Sequence, residues 1–304
     1  MEEVWTAVEP RIQEALDRLA SERRSDYKHT PLYGTAIALA LAGLGSMMFG
    51  FSVLLLLVCL VVGWVIVALI YYSQHNEQYK AKVMPALVDA VCPGASYSAV
   101  GTLNKEMIKS SELYSVGFGE HFENEDTIRG VVGKTDFVYG EVELWHLQST
   151  GKSAVKVTDF KGFVFEADFN KYFQGITILS SERFRLAGHV GFFSNLERCK
   201  LEDVRFEEKF RTYTTNDQEA RYLLTPALQE RIMEMNRMFY TELGDDKLSI
   251  SFHHDRMLIM VPSRTNRFEV KYDLASVRKD FIALRVMIEI VEQLNLNLRI
   301  WTKE

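Results

Sequence analysis

The stretch Leu32–Tyr72, LYGTAIALALAGLGSMMFGFSVLLLLVCLVVGWVIVALIYY, runs for 41 residues without an Asp, Glu, Lys, Arg or His. At about 1.5 Å of rise per residue, one helix of that length would be roughly 60 Å long, about twice the hydrocarbon core of a bilayer. The run is therefore expected to cross and return as a two-helix transmembrane hairpin. Its turn falls at Phe49, Gly50, Phe51 and Ser52, leaving spans of about 32–49 and 52–72. The apolar stretch is too long for a signal peptide, and no small-residue cleavage site follows a short core.

Arg18, Arg23, Arg24 and Lys28 precede the run, Lys80 and Lys82 follow it, and the turn carries no charge. The positive-inside rule then places both termini in the cytoplasm. Gly34, Ala38 and Ala42, spaced by four, form a small-residue stripe on the first span, against which the second is expected to pack through Cys59 and Gly63. A homo-oligomer interface is the alternative use of that stripe. With no ionisable group inside them, the spans read as an anchor and not as a conduction path.

Outside the membrane run, composition mostly excludes. The net charge is -6, and Met1–Pro31 with its five basic and seven acidic residues contributes -2. The chain beyond the spans is thus also acidic, without the basic field that a nucleic-acid partner requires. Cys59, Cys92 and Cys199 have no CxxC companion, which argues against a disulfide framework or zinc site and fits a reducing compartment.

Ahead of the spans, Val4, Val8, Ile12, Leu16 and Leu19 repeat at helical spacing, so residues 1–31 are expected to form a cytoplasmic amphipathic helix. Pro10 is expected to kink or restart it. Its apolar face would meet either the cytoplasmic domain, a second copy or, with Trp5, the lipid surface.

After the spans, the pattern predicts a helix over Glu77–Val91 interrupted at Pro85, and a short one over Asn104–Ser110 capped by Asn104. Strands are expected over Thr127–Val132, Asp136–Gln148, Ala154–Asp168, Gly175–Ser180 and Phe210–Thr214, with a turn at Ser149-Thr150-Gly151-Lys152. Asn216 or Asp217 is expected to cap a helix that Pro226 either kinks or restarts and that runs to about Tyr240. Lys247–His253 and Met257–Pro262 read as strands around the polar turn His254-Asp255-Arg256, and Leu274–Leu294 closes as a helix. The fold class is α+β: a mostly antiparallel sheet with flanking helices, divided near Leu186–Leu201 into subdomains 73–200 and 201–304.

Chemistry-bearing motifs are sparse. His253-His254-Asp255 offers metal-ligand types, but neighbours on a strand point to opposite faces, so a polar hairpin tip is expected. Asp159 and Asp168 fall on opposite strand faces while Glu166 and Asp168 share one; Asp168, before Asn170 and Lys171, is expected to end its strand. Gly130, Gly133, Lys134 and Thr135 lack Walker spacing and lead into a strand where a phosphate loop needs a helix. Phe160, Phe163 and Phe165, with Glu166 and Asp168, are the candidate pocket residues, and a packed core is the competing reading. No nucleophile motif is present, so no catalytic residue, cofactor or metal site is assigned.

The blocks DTIRGVVGKTDFVYGEVEL, FKGFVFEADFNKYFQG, TYTTNDQEARYLLTPALQERI and VEQLNLNLRIW together resemble DUF3137, a bacterial family of two-span membrane proteins. The likeness extends from Glu77 to Trp301, with small departures at Val164, Glu166 and Leu298. It implies an inner-membrane location and, because family members accompany LemA-type membrane proteins, a membrane-associated complex. It implies no activity, cofactor or catalytic residue. The expected function is a membrane-anchored interaction or scaffold module whose partners are the lipid bilayer and other membrane proteins; the alternative is a tethered enzyme or lipid-binding module.

Overall fold

The computed structural model describes residues 2–27, 30–49, 53–114, 121–149, 151, 153–181, 195–244, 247–263 and 266–293. They divide into two compact units, Glu2–Leu87 with Phe268–Arg278, and Val88–Arg267 with the chain from Lys279 onward.

The first unit is helical. α1 (Glu2–Tyr27) continues through Pro10, where an interruption was expected. Its apolar stripe is buried at Trp5, Ile12, Leu16 and Leu19. α2 (Thr30–Phe49) and α3 (Val53–Lys82) carry the apolar run, and the expected turn at Gly50, Phe51 and Ser52 lies outside the described residues. Among the described residues one helical stretch, Leu57–Val91, is long and apolar enough to cross a membrane, and Leu32–Gly45 is a shorter apolar one.

α2 and α3 touch where their side chains are smallest. A Cβ added to Gly63 would stand 3.0 Å from the Cβ and backbone nitrogen of Ala38, and one added to Gly34 would stand 3.3 Å from the Trp64 ring. Ala38 is buried, while Ala42 and Cys59 are half-buried. Polar ties hold the rest of the unit: Lys82 bridges to Glu22 at 2.7 Å, Lys80 to Glu269 at 3.3 Å, and the Val270 amide donates to Asn76 Oδ1 at 2.8 Å.

The second unit is built on one antiparallel seven-stranded sheet. Its strands are β1 (Ser96–Val100), β2 (His121–Val132), β3 (Thr135–Ser149), β4 (Ala154–Ser181), β5 (Glu197–Cys199), β6 (Phe210–Thr214) and β7 (Ser249–Pro262). The order is β1-β2-β3-β4-β6-β5, with β7 on the other side of β4. β2 and β3 meet through the two-residue turn Gly133-Lys134, and Gly133 supplies the positive φ of 64° that such a tight connection needs.

β4 and β7 together correct three sequence expectations. The strands expected at Ala154–Asp168 and Gly175–Ser180 are a single 28-residue strand, so Asp168 does not end it. The strands expected on either side of His254 are likewise one, and His254-Asp255-Arg256 is not a hairpin tip. The reason lies in pairing: β4 and β7 run side by side from Gly162↔Pro262 to Ser180↔Ser249, and both absorb their polar residues in register shifts around Phe173↔His254, where His254 takes a φ of 51°. Because β4 pairs with both β6 and β7, the sheet carries the chain on both sides of residue 200. Most of Leu186–Leu201, the expected boundary, lies outside the described residues.

Short helices edge the sheet and start on side-chain caps. Asn104 caps α5 (Lys105–Ser110), Asp203 caps α6 (Val204–Lys209), Asn216 caps α7 (Asp217–Leu223), and Thr225 caps α8 (Pro226–Met238), with Pro226 in the first turn. α8 runs into a π-helical turn, Phe239–Leu243, that ends on left-handed Gly244. Leu284, Met287 and Ile288 of α9 (Leu274–Gln293) gather with Ile128, Phe137 and Tyr139, together with the end of α4 (Met84–Val91).

Candidate functional site

The residues singled out on the aromatic strand do not converge on one pocket. Successive side chains of β4 point to opposite faces. Phe160 packs on one face with Leu103, Val138, Val164 and Met260. Phe163 and Phe165 lie on the other, their rings 5.7 Å from Tyr139 and Phe137 respectively. Glu166 faces its register partners Val138 and Leu258, and burial raises its carboxyl pKa. Asp168 stands opposite Arg256, whose guanidinium reaches Asp136 at 2.6 Å. These acids lie on the sheet face opposite Phe163 and Phe165, beside the Arg256–Asp136 ion pair.

The other sequence candidates are dispersed. Asp159 takes a hydrogen bond from Tyr114 at its carbonyl and sits 2.7 Å from His146 Nδ1. His253 is buried between Ser110 and Ser251, at 3.4 and 3.3 Å, whereas His254 is exposed. Burial pushes the His253 imidazole down to about 4, so it is neutral at physiological pH. Gly130 lets the Phe137 ring approach: a Cβ there would meet the ring at 2.8 Å.

Two cavities were not legible as motifs. One, of about 290 Å³, lies on the sheet where Glu123↔Glu143 and Glu125↔Glu141 pair across β2 and β3. Like charges facing across strands are unfavourable, and each acid has found a donor: Trp145 on Glu123 at 3.1 Å, Asn266 on Glu125 at 2.8 Å, the Arg267 amide on Glu141 at 3.1 Å, and Lys156 and Lys161 on Glu143 at 2.7 and 3.3 Å. The Lys156 contact is the main reason the Glu143 carboxyl is held below its usual range. Alternating glutamates in HFENED and GEVEL were the available signal, but only the register brings them together.

The second cavity has the opposite charge and lies in the helical unit. It measures about 380 Å³ and is lined by Arg23, Arg24, His75, Lys271 and Tyr272. A companion of about 350 Å³ shares Arg23, His75 and Tyr272 and continues along α3 past Tyr71, Ala68 and Trp64. Arg23 lies 4.3 Å over the Tyr272 ring. His75 is only 6% exposed; its Nδ1 is 2.8 Å from the Tyr71 carbonyl, and its Nε2 has no hydrogen-bond partner among the described residues. Trp64, Ala68, Tyr71 and His75 follow helical spacing, which is the trace this surface leaves in the sequence. Its basic half comes from segments almost 250 residues apart.

Comparison with known proteins adds little to this geometry. No curated protein sequence matches. The crystal structure of the mycobacterial trehalose monomycolate transport factor A, TtfA, aligns with 69% of this chain and 94% of its own, at 12% identity and a TM-score of 0.35, too low a likeness to support an argument. Residues 158–296 match the model of the family described as Protein of unknown function (DUF3137). That region, which spans most of β4 and reaches the end of α9, is similar to the DUF3137 family.

Proposed function

We propose that this protein is anchored in the bacterial inner membrane by the α2–α3 hairpin, with both termini cytoplasmic, and that its sheet domain is an interaction module. The observation that carries this reading is the outward apolar surface of α3, where Leu57, Val61, Val65 and Leu69 are each more than half exposed. A contiguous apolar surface of this kind is unfavourable in water and at rest in lipid. The close approach of Gly63 to Ala38 and of Gly34 to Trp64 supports a hairpin packed through small residues. Ion-paired acids on the sheet favour a binding role over acid–base chemistry, and a LemA-type membrane protein is the first partner to test.

Topology is tested with single cysteines at each chain end after replacement of Cys59, Cys92 and Cys199. Both ends should react with a membrane-impermeant thiol reagent only in inverted vesicles, and the protein should resist carbonate extraction. Labelling of the ends from opposite sides, or recovery in the soluble fraction, would overturn the anchor. Affinity purification of the full chain from native membranes should yield a stoichiometric protein partner.

A further inference from the structure

We propose that the basic, aromatic-lined cavity beside His75 binds the phosphate-bearing headgroup of an anionic lipid, an inference that rests on the membrane reading above. The cavity collects Arg23, Arg24 and Lys271, and among the described residues no carboxylate lines either it or its companion. In a chain of net charge -6 that segregation calls for an explanation. The neighbouring acids are already engaged, Glu22 with Lys82 at 2.7 Å and Glu269 with Lys80 at 3.3 Å. Among the described residues neither Arg24 nor Lys271 has an ion-pair partner. Guanidinium and ammonium groups held together in this way suit a phosphate, which accepts several charge-assisted hydrogen bonds.

The shape separates a lipid from a free anion. Trp64 and Ala68 precede His75 by eleven and seven residues on α3, so at the helical rise they stand roughly 16 and 10 Å further into the apolar span. The cavity pair therefore runs from the cationic end at Arg24 and Lys271, past His75 and Tyr71, to Ala68 and Trp64 along α3. Phosphate at the Arg24 and Lys271 end would leave the glycerol and first acyl carbons beside Tyr71, Ala68 and Trp64. Tyr71, at the end of the span, suits the interfacial depth at which aromatic residues with one polar edge gather. With Nδ1 donating to the Tyr71 carbonyl, the neutral His75 ring leaves Nε2 as a buried acceptor without a partner among the described residues, which a headgroup hydroxyl would satisfy.

The test is native mass spectrometry of the full chain released from nanodiscs containing equal amounts of phosphatidylglycerol and phosphatidylcholine. The wild-type protein should retain phosphatidylglycerol preferentially. The double variant R24Q/K271Q should lose about tenfold of that preference, since each basic group at a membrane surface attracts anionic lipid. The charge-conserving R24K/K271R should keep most of it, which separates charge from folding. Equal retention of both lipids by wild type, or an unchanged preference in a folded R24Q/K271Q protein, would overturn the proposal. Displacement of phosphatidylglycerol by millimolar inorganic phosphate would overturn the lipid assignment. Failure of the anchor itself would show separately, as release by carbonate.

Discussion

α3 and β4 are both long and both crowded with large apolar side chains, yet they treat those side chains in opposite ways. On β4, Phe163, Phe165 and Phe169 are at most 2% exposed, whereas on α3, Leu57, Val61, Val65 and Leu69 are 51–64% exposed. Side-chain chemistry is similar, so the difference lies in what covers it. β4 is covered by its own protein, with β3, β6 and β7 pairing along its edges. The membrane reading gives α3 lipid in place of protein. It also explains why the contact between α2 and α3 relies on glycine and alanine: in lipid, close backbone approach gains more than extra hydrocarbon does.

The largest expected effect tests the protein-covered side. Phe165→Ala removes a fully buried ring and should cost about 3–5 kcal/mol of stability by chemical denaturation. Val61→Arg tests the other side. At a water-exposed position it would change stability by no more than about 0.5 kcal/mol, but near the middle of a span it should cost about 2.5–3.5 kcal/mol of insertion. The measurement is the carbonate-resistant fraction of the variant in membranes. A fully membrane-associated V61R protein would mean that the two regions do not differ in solvent.

Polar burial sharpens the contrast within the sheet unit. His253 is buried and uncharged, depressed to about 4 chiefly by desolvation, with the charge on His254 acting in the same direction. A histidine whose folded value lies below its unfolded value of 6.5 favours the folded state fully above that unfolded value. The contribution is lost as pH falls from about 6.5 through 4. The shift corresponds to about 3 kcal/mol. The stability difference between wild type and His253→Gln should shrink by roughly that amount between pH 7.5 and pH 4. Parallel stability curves over this range would show that His253 is not the titrating group.

The sequence made the strand-rich half legible wherever one face alternated with the other, as in β3, where Phe137 and Tyr139 oppose Val138 and Val142. It misled where two strands share an irregularity. Asn170-Lys171 and His254-Asp255-Arg256 have the composition of turns, but they meet across one bulged level of β4 and β7, and only pairing shows that both chains continue. β1 escaped notice because Ser96–Val100 is short and its side chains are half-buried or exposed. The glutamate pairs and the basic cavity escaped for a related reason. Each depends on which residues become neighbours, through β-register in one case and through Arg23 meeting Tyr272 in the other. The carboxylates that did attract attention, Glu166 and Asp168, share a face as the spacing required, but Phe163 and Phe165 sit across the sheet from them.

The smallest expected effect concerns how closely α2 and α3 approach. Gly63 is the stringent position, because the atoms nearest an added Cβ include Ala38 backbone at 3.0 and 3.1 Å, which cannot swing aside. At Gly34 the nearest atoms belong to the Trp64 side chain, at 3.3 Å, and a ring can shift by a few tenths of an ångström. Gly63→Val should therefore destabilise the helix pair by about 1–3 kcal/mol, the usual cost of overpacking, while Gly34→Ala should cost less. Thermal unfolding of both variants in the same detergent ranks them. The reverse order would place the tight contact at Trp64, and equal, negligible effects would show that the small residues are not what brings these helices together.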